Sequence, residues 1–158
     1  QTLRVYEALE PNNKEITDIH RPLEGENFRQ TALRTMQKDV FLTSVNALAQ
    51  TGELVNIDGT GNRVACSLFG SEEVFFVLGI NKITPDLASA IYRARNVAAP
   101  KNVVKNKKLS KTPCAIKQDH CYYCASPDRI CNALTIYYKK MRNMDIMEII
   151  IVNEELGF

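Results

Sequence analysis

The chain has 158 residues, of which 45% are apolar. That is the length of one ordinary domain with enough apolar side chains for a real core, which excludes a disordered tail or a disulfide miniprotein as a reading of the whole chain. Twenty basic against eighteen acidic residues leave a net charge of +2, which argues against nucleic acid as a partner. The longest apolar runs, residues 74–80 and 149–152, fall far short of the ~20 residues a membrane span needs. No charged-then-apolar leader opens the chain, which points to the cytoplasm, and a start at Gln1 rather than Met predicts a piece of a longer protein.

In chain order, residues 5–9 read as a short strand or helical turn, and Glu10 to Asn13 as a turn. Phe28, Ala32 and Met36 repeat at i, i+4 and i+8, which predicts a helix over 26–38. Residues 40–42 form a continuous apolar run, the mark of a strand buried on both faces. Residues 45–49 and 53–57 flank Gln50-Thr51-Gly52 and read as a β-hairpin. A loop, Asp58-Gly59-Thr60-Gly61-Asn62, precedes a short helix over 63–69, and 74–80 is a buried strand. Pro85-Asp86 opens a helix carrying Leu87, Ile91 and Ala94 on one face, with Pro100 expected to stop it. Residues 101–131 hold a lysine run (Lys101, Lys105, Lys107, Lys108, Lys111) and then a cysteine cluster; they read as a basic, Cys-rich loop insertion. Residues 133–138 and 146–152 read as two strands joined by a polar turn near Arg142-Asn143. The order predicts an α/β domain: a mainly parallel sheet with flanking helices and an antiparallel edge.

In a parallel sheet, ligands sit beyond the carboxyl ends of the strands, where loops and helix N-termini gather. Ser44 and Asn46, Asn81 and Lys82, and Asn153, Glu154 and Glu155 fall at such ends. The amides of Asn46 and Asn81 both donate and accept, and Lys82 suits a carboxylate or phosphate. Asn at a strand end is also an ordinary turn residue, and a glutamate pair of this kind is usually solvated. Asp58-Gly59-Thr60-Gly61-Asn62-Arg63 suits an anion held on backbone N–H groups with help from Arg63, or is simply a glycine-rich turn. It lacks the third glycine of a dinucleotide fingerprint and the Gly-Lys-Ser/Thr of a P-loop.

Cys114, Cys121, Cys124 and Cys131 form one cluster, C-x6-C-x2-C-x6-C, apart from Cys66. The central pair has the spacing that lets two sulfurs meet one ion. In a reducing compartment such a cluster holds a metal, zinc or a [4Fe–4S] cluster, more often than disulfides; reduced structural thiols are the other reading. Four thiolates would leave a zinc site closed, structural and net negative, with Lys111, Lys117, His120 and Arg129 near in sequence to offset it. His120 reads as an exposed loop histidine, His20 has no evident partner, and Cys66 reads as a buried, inert thiol. No Ser/His/Asp arrangement, HExxH motif or spaced carboxylate pair announces a reaction, and Glu53, Asp58 and Glu154 are the nearest candidates for a general base.

Several strings together resemble one known family. Thr43-Ser44-Val45-Asn46-Ala47, the stretch from Gly52 to Ala65, Gly79-Ile80-Asn81-Lys82-Ile83, Arg95-Asn96-Val97-Ala98-Ala99-Pro100-Lys101-Asn102, Thr112-Pro113-Cys114, Ser126-Pro127-Asp128-Arg129-Ile130-Cys131-Asn132 and Val152-Asn153-Glu154-Glu155-Leu156-Gly157-Phe158 resemble the LUD domain of bacterial lactate-utilisation proteins. The likeness runs from about Asp39 to Phe158. It implies the layered α/β fold of the sugar-phosphate isomerase and CoA-transferase group, and a link to oxidation of L-lactate to pyruvate beside an iron–sulfur partner subunit. It implies no known reaction. The family's matching positions are Asn46, Asp58, Gly59, Gly61, Asn62, Arg63, Asn81 and Lys82. The resemblance also implies an upstream portion, with helices and a Gly-Gly-Ser segment, that this chain lacks; residues 1–158 are then a single truncated domain, either inactive alone or with its pocket completed by a neighbouring chain, and a homo-oligomer is one arrangement open to it. The expected function is binding of a small anionic metabolite at strand carboxyl ends. The alternatives are a metal-bearing module of an electron-transfer complex, or an isomerase or transferase on a phosphorylated or CoA-linked substrate, the last from fold analogy alone.

Overall fold

The computed structural model describes residues 5–12, 15–105 and 111–158. Lys107 and Lys108 of the lysine run lie outside the described residues. Among the described residues, seven strands form two sheets. Strands β1 (Val40–Thr43), β4 (Glu73–Gly79) and β7 (Ile146–Val152) make an all-parallel sheet with β4 in the centre. Strands β2 (Ala47–Ala49), β3 (Leu54–Asp58), β5 (Ile83–Thr84) and β6 (Ala133–Tyr137) make a second, mixed sheet in the order β5-β2-β3-β6. The hairpin expected around Gln50 is the antiparallel β2–β3 pair, in which Ala47 faces Val55.

Period-2 alternation assigns the layers. Val74, Phe76 and Leu78 on the inner face of β4 meet Leu48, Leu54 and Tyr137 of the mixed sheet in one core cluster. The Phe76 and Tyr137 rings meet edge to face, with centroids 5.6 Å apart. Burying side chains of this size contributes roughly 1.5–3 kcal/mol each. The opposite face of the mixed sheet carries Ala47, Ala49, Val55 and Ile57. It packs on Ala90, Ala94 and Ala99 of a long helical stretch, where alanines let helix and sheet approach closely. The mixed sheet is therefore the middle layer, and all five residues of β3 are buried.

The helices follow local rules. Helix α1 is Val5–Leu9, resolving the strand-or-turn alternative, and a tight turn follows over Glu10–Asn12. Helix α2 (Phe28–Thr35) begins with a capping box: Asn27 accepts from the Gln30 N–H, and the Gln30 side chain accepts from the Asn27 N–H. Helix α3 (Asn62–Ala65) starts after Gly61, whose φ of 84° suits glycine, and continues as a wider π turn over Cys66–Gly70. Helix α4 (Leu87–Arg93) is capped by Asp86, which accepts from the Ser89 N–H at 2.7 Å.

Four expectations need correction. Pro100 does not stop the long helix, which runs on as α5 (Ala99–Lys105) after a π turn over Ala94–Ala98. In that turn the Ala99 N–H reaches back five residues to the Ala94 carbonyl, and Pro100 then sits in the first turn of α5, where its missing N–H costs little. The segment 101–131 is not one structureless loop: it begins inside α5 and contains α6 (Pro113–Lys117), capped by Thr112 with Pro113 at its first turn. β6 and β7 are not paired with each other; they belong to different sheets, and Tyr137 and Met144 plug the core between them. Finally, β1 is not buried on both faces. It is an edge strand whose Val40 and Leu42 are exposed on the outer side of the parallel sheet, while Phe41 packs inward. Among the described residues, no helix is long and apolar enough to cross a membrane.

Candidate functional site

Alternation along β3 puts Leu54, Asn56 and Asp58 on the face turned toward the parallel sheet. Asp58 ends that strand near the carboxyl ends of β1 and β4, and a cavity of about 800 Å³ opens there. Its walls are the 17–20 segment, α2, the end of β1, the Asp58 loop, the start of α5, Ile130 of the Cys-rich segment, and Gly157 and Phe158. The volume is within the range of small-molecule sites.

Lys82 is the charge at the centre of the site. It follows β4 in a single tight turn and is only 6% exposed. Among the described residues, its Nζ donates to one partner, the Ser44 Oγ at 3.0 Å, and no carboxylate stands within ion-pair distance. Burial, then the nearby positive charges of Arg93 and Arg63, push its pKa down to about 8. Arg93 was not singled out by the sequence. Its Nε donates to the Asn81 carbonyl at 3.0 Å and a terminal nitrogen to the Asn46 carbonyl, so α4 fastens both turns that carry polar site residues. Its only sequence signal is a basic residue on the otherwise apolar face of α4.

The Asp58 loop is built by its own side chains. Asp58 Oδ1 accepts from the Thr60 and Gly61 N–H groups at 3.1 and 2.9 Å, a local Asx turn. Its Oδ2 accepts from Arg63 Nε at 3.2 Å, and Arg63 also donates to the Ile57 carbonyl at 2.6 Å. Asn62 accepts from the Thr60 hydroxyl. Gly59 is needed for closeness: a Cβ there would stand 2.9 Å from the Ile130 carbonyl oxygen. Asn132 locks the same approach by donating from its backbone to Asp58 and from its side chain to Gly59. The glycine-rich loop is thus tied to the Cys-rich segment.

Of the eight expected ligand-binding residues, Asn46, Asp58, Gly59, Asn62, Arg63 and Lys82 line the cavity, together with Ser44 and His20. Gly61 and Asn81 lie outside its lining. The Asn46 side chain accepts from the Ile57 N–H at 2.6 Å, joining β2 to β3. Asn81 holds the final segment, donating to the Gly157 carbonyl at 3.2 Å and accepting from the Leu156 N–H at 3.1 Å. Gly79 makes room for that crossing, since a Cβ would collide with Glu154 and Leu156 backbone atoms at 2.4 Å. Of the three candidate bases, Asp58 lines the cavity with its oxygens engaged, whereas Glu53 bonds the Thr51 hydroxyl and Glu154 lies outside the lining.

The four clustered cysteines border one small cavity of about 20 Å³ with Thr112, Tyr122 and Arg129. Each is a free thiol, and three sulfurs have separate contacts: Cys114 with the Thr112 hydroxyl, Cys121 with the Tyr123 N–H, and Cys131 with Arg129 Nε at 3.2 Å. Among the described residues, no three His, Cys, Asp or Glu stand close enough together to hold an ion. As arranged, the thiols supply the right donor chemistry without a formed coordination shell. His120 is exposed as expected, stacked on Tyr122 with centroids 4.4 Å apart. Cys66 is buried, and burial pushes its thiol pKa up, away from nucleophilic use.

No curated relative and no solved structure matches the chain. A family model described as the LUD domain matches residues 2–152, nearly the whole sequence and every strand of both sheets, and the chain belongs to the LUD-domain family.

Proposed function

We propose that this chain binds a small anionic metabolite, a carboxylate or phosphate, in the cavity at the carboxyl ends of β1 and β4. The observation that carries the reading is Lys82: a buried ammonium facing open space with a hydroxyl, and no carboxylate among the described residues, as its partner. A buried charge without a counter-charge costs several kcal/mol, so an incoming anion would gain what the protein does not supply. Lys82 is the direct contact; Arg63 contributes field while bracing the Asp58 loop, and Asn46 and Asn81 build the walls rather than reach the ligand. The family's association with lactate utilisation supports small carboxylates such as lactate and pyruvate as the first ligands to try, and an iron–sulfur subunit as the partner to look for. The test is a thermal-shift and calorimetric panel of lactate, pyruvate, phosphate and a phosphorylated sugar. We expect at least one to bind, with at least tenfold weaker binding to Lys82→Ala. Unchanged affinity in that variant for every ligand that binds would refute the reading.

A second reading concerns the Cys-rich segment. Four thiols around one small cavity favour a metal clip, with Cys114, Cys121, Cys124 and Cys131 closing around zinc or a [4Fe–4S] cluster on loading. It would pin the segment that Ile130 and Asn132 press against the Asp58 loop. Metal analysis with an absorption spectrum on anaerobically purified protein decides it. Stoichiometric zinc without a visible band makes a structural clip; iron and sulfide with a visible band make an electron carrier; four free thiols and no metal end the reading.

A further inference from the structure

We infer that Lys82 is a covalent amine site, which condenses with the carbonyl of a 2-oxo acid held in the cavity to form an imine. The inference rests on the anion-binding reading above: the positive field of Lys82, Arg63 and Arg93 draws a carboxylate into the cavity, and the carbonyl beside it reacts when Nζ has given up its proton, the charge of Arg63 in the cavity lining then remaining for the carboxylate.

The argument starts from what Lys82 lacks. Lysine is rarely buried unless paired, yet Nζ meets only the Ser44 hydroxyl among the described residues. Arg63 and Arg93 both add positive charge to its surroundings. Each of these features raises the energy of the ammonium and favours the neutral amine. With its pKa lowered to about 8, roughly a tenth of the chains carry a free amine at Lys82 at pH 7, against about one in three thousand for an ordinary exposed lysine with a pKa of 10.5. The neutral form is the nucleophile, and a lysine prepared in this way by desolvation and neighbouring cations is the usual Schiff-base lysine.

Access and proton handling also fit. Gly157 covers one side of Nζ, where an added Cβ would stand at van der Waals distance, 3.6 Å, so the approach to the nitrogen is from the cavity that Lys82 and Ser44 line. The cavity volume admits a molecule of a few carbons. In the reaction, the Nζ lone pair attacks the carbonyl carbon, the C–N bond forms, and the carbonyl π pair moves to oxygen. One proton passes from nitrogen to that oxygen, giving a carbinolamine. A second proton transfer releases the hydroxyl as water and leaves the C=N bond. Ser44 Oγ, 3.0 Å from Nζ, both accepts and donates and is placed to pass these protons. No oxidant or reductant is consumed.

The experiment uses glyoxylate as the probe, with borohydride to reduce any imine to a stable secondary amine, followed by peptide mapping. Glycolate, which has the carboxylate without the carbonyl, is tested in parallel for binding by thermal shift. We expect a carboxymethyl group on Lys82 at least tenfold in excess of the exposed Lys101 and Lys139, slower labelling in Ser44→Ala, and none at position 82 in a folded Lys82→Arg control. Labelling spread evenly over exposed lysines while glycolate still shifts the melting temperature overturns the imine and leaves the anion reading standing. No shift with glycolate and no selective labelling overturns both.

Discussion

Lys82 Nζ donates to Ser44 Oγ across 3.0 Å, joining the carboxyl end of β4 to that of β1 although 38 residues separate them. The bond is the hinge of the site and also its energetic weakness, since among the described residues it is the one partner of an ammonium on a side chain only 6% exposed. Lys82→Met should therefore stabilise the fold at pH 7, by about 1–4 kcal/mol, because replacing a poorly compensated buried charge with an apolar side chain of similar volume removes a desolvation cost. For a chain of this size that is about 2–4 °C in Tm per kcal/mol. The pH dependence has a definite sign. The folded pKa near 8 lies below the ordinary 10.5, so the unfolded chain holds more protons between those values. Wild-type stability should rise through that window, and the advantage of Lys82→Met should shrink with it. Urea midpoints at pH 7, 9 and 10 for both proteins check this, and a constant gap would contradict it.

Gly59→Ala tests how the Asp58 loop is fastened. The added methyl would stand 2.9 Å from the Ile130 carbonyl oxygen, a backbone atom that cannot rotate away. The Cys-rich segment must then withdraw, straining the Asn132 bonds to Asp58 and Gly59. We expect a loss of about 1–3 kcal/mol, the usual cost of overpacking. Faster proteolysis confined to residues 111–132 would show where the loss falls, and unchanged proteolysis there would contradict the assignment.

Much of this site was legible in the sequence, because polar residues directly after apolar runs are a local signal. Ser44, Asn46, Asp58 and Lys82 follow such runs, Arg63 is marked instead by the glycine-rich loop before it, and the expected β1, β2–β3 hairpin and β4 agree with the observed strands to within a residue or two. What could not be read was which residues face the cavity. Asn81 and Lys82 are neighbours with opposite tasks, one clasping Leu156 and Gly157 and the other facing the cleft, and only the tight turn after β4 separates them. Arg93 was missed because its partners are backbone carbonyls in two distant turns, which leave no mark in composition. The misjudged elements share a cause. Consecutive strands such as β6 and β7 read as neighbours until the burial of Tyr137 and Met144 between the sheets separates them. Pro100 reads as a stop until the wide turn before it absorbs the missing donor.

The outer wall of the cavity has its own pH sensitivity. Arg34 on α2 holds Glu26 through two hydrogen bonds of 2.9 Å and donates to the Thr17 hydroxyl, which anchors the 17–20 segment. The guanidinium, with the Leu23 N–H and the Thr31 hydroxyl, holds the Glu26 carboxyl down at about 2 against an ordinary 4.5. A depressed carboxyl stabilises the fold above its unfolded value, and that contribution fades as pH falls from about 4.5 toward 2. Glu26→Gln should therefore melt earlier than wild type at pH 6, and the two melting curves should converge as the pH approaches 2. A difference that persists at the acid end would mean the ion pair is not what holds this wall.

Asn81→Ala should separate the clasp from the cleft. The substitution removes the bonds to the Gly157 carbonyl and the Leu156 N–H, both on a segment that is otherwise mostly exposed. Lost side-chain hydrogen bonds of this kind cost about 0.5–1.5 kcal/mol each, less where water replaces them, so the fold should survive with a modest drop in Tm. The larger effect should be local. With residues 154–157 released, water reaches Lys82 Nζ, desolvation weakens, and its pKa should climb from about 8 back toward 10.5. Amide exchange at 154–157 should accelerate while the β4 amides stay protected, and the pH at which Lys82 reacts with an acylating reagent should move upward. If exchange accelerates and the Lys82 titration does not move, then Arg63, Arg93 and the buried floor of the cavity, rather than the final segment, hold the amine in its low-pKa state.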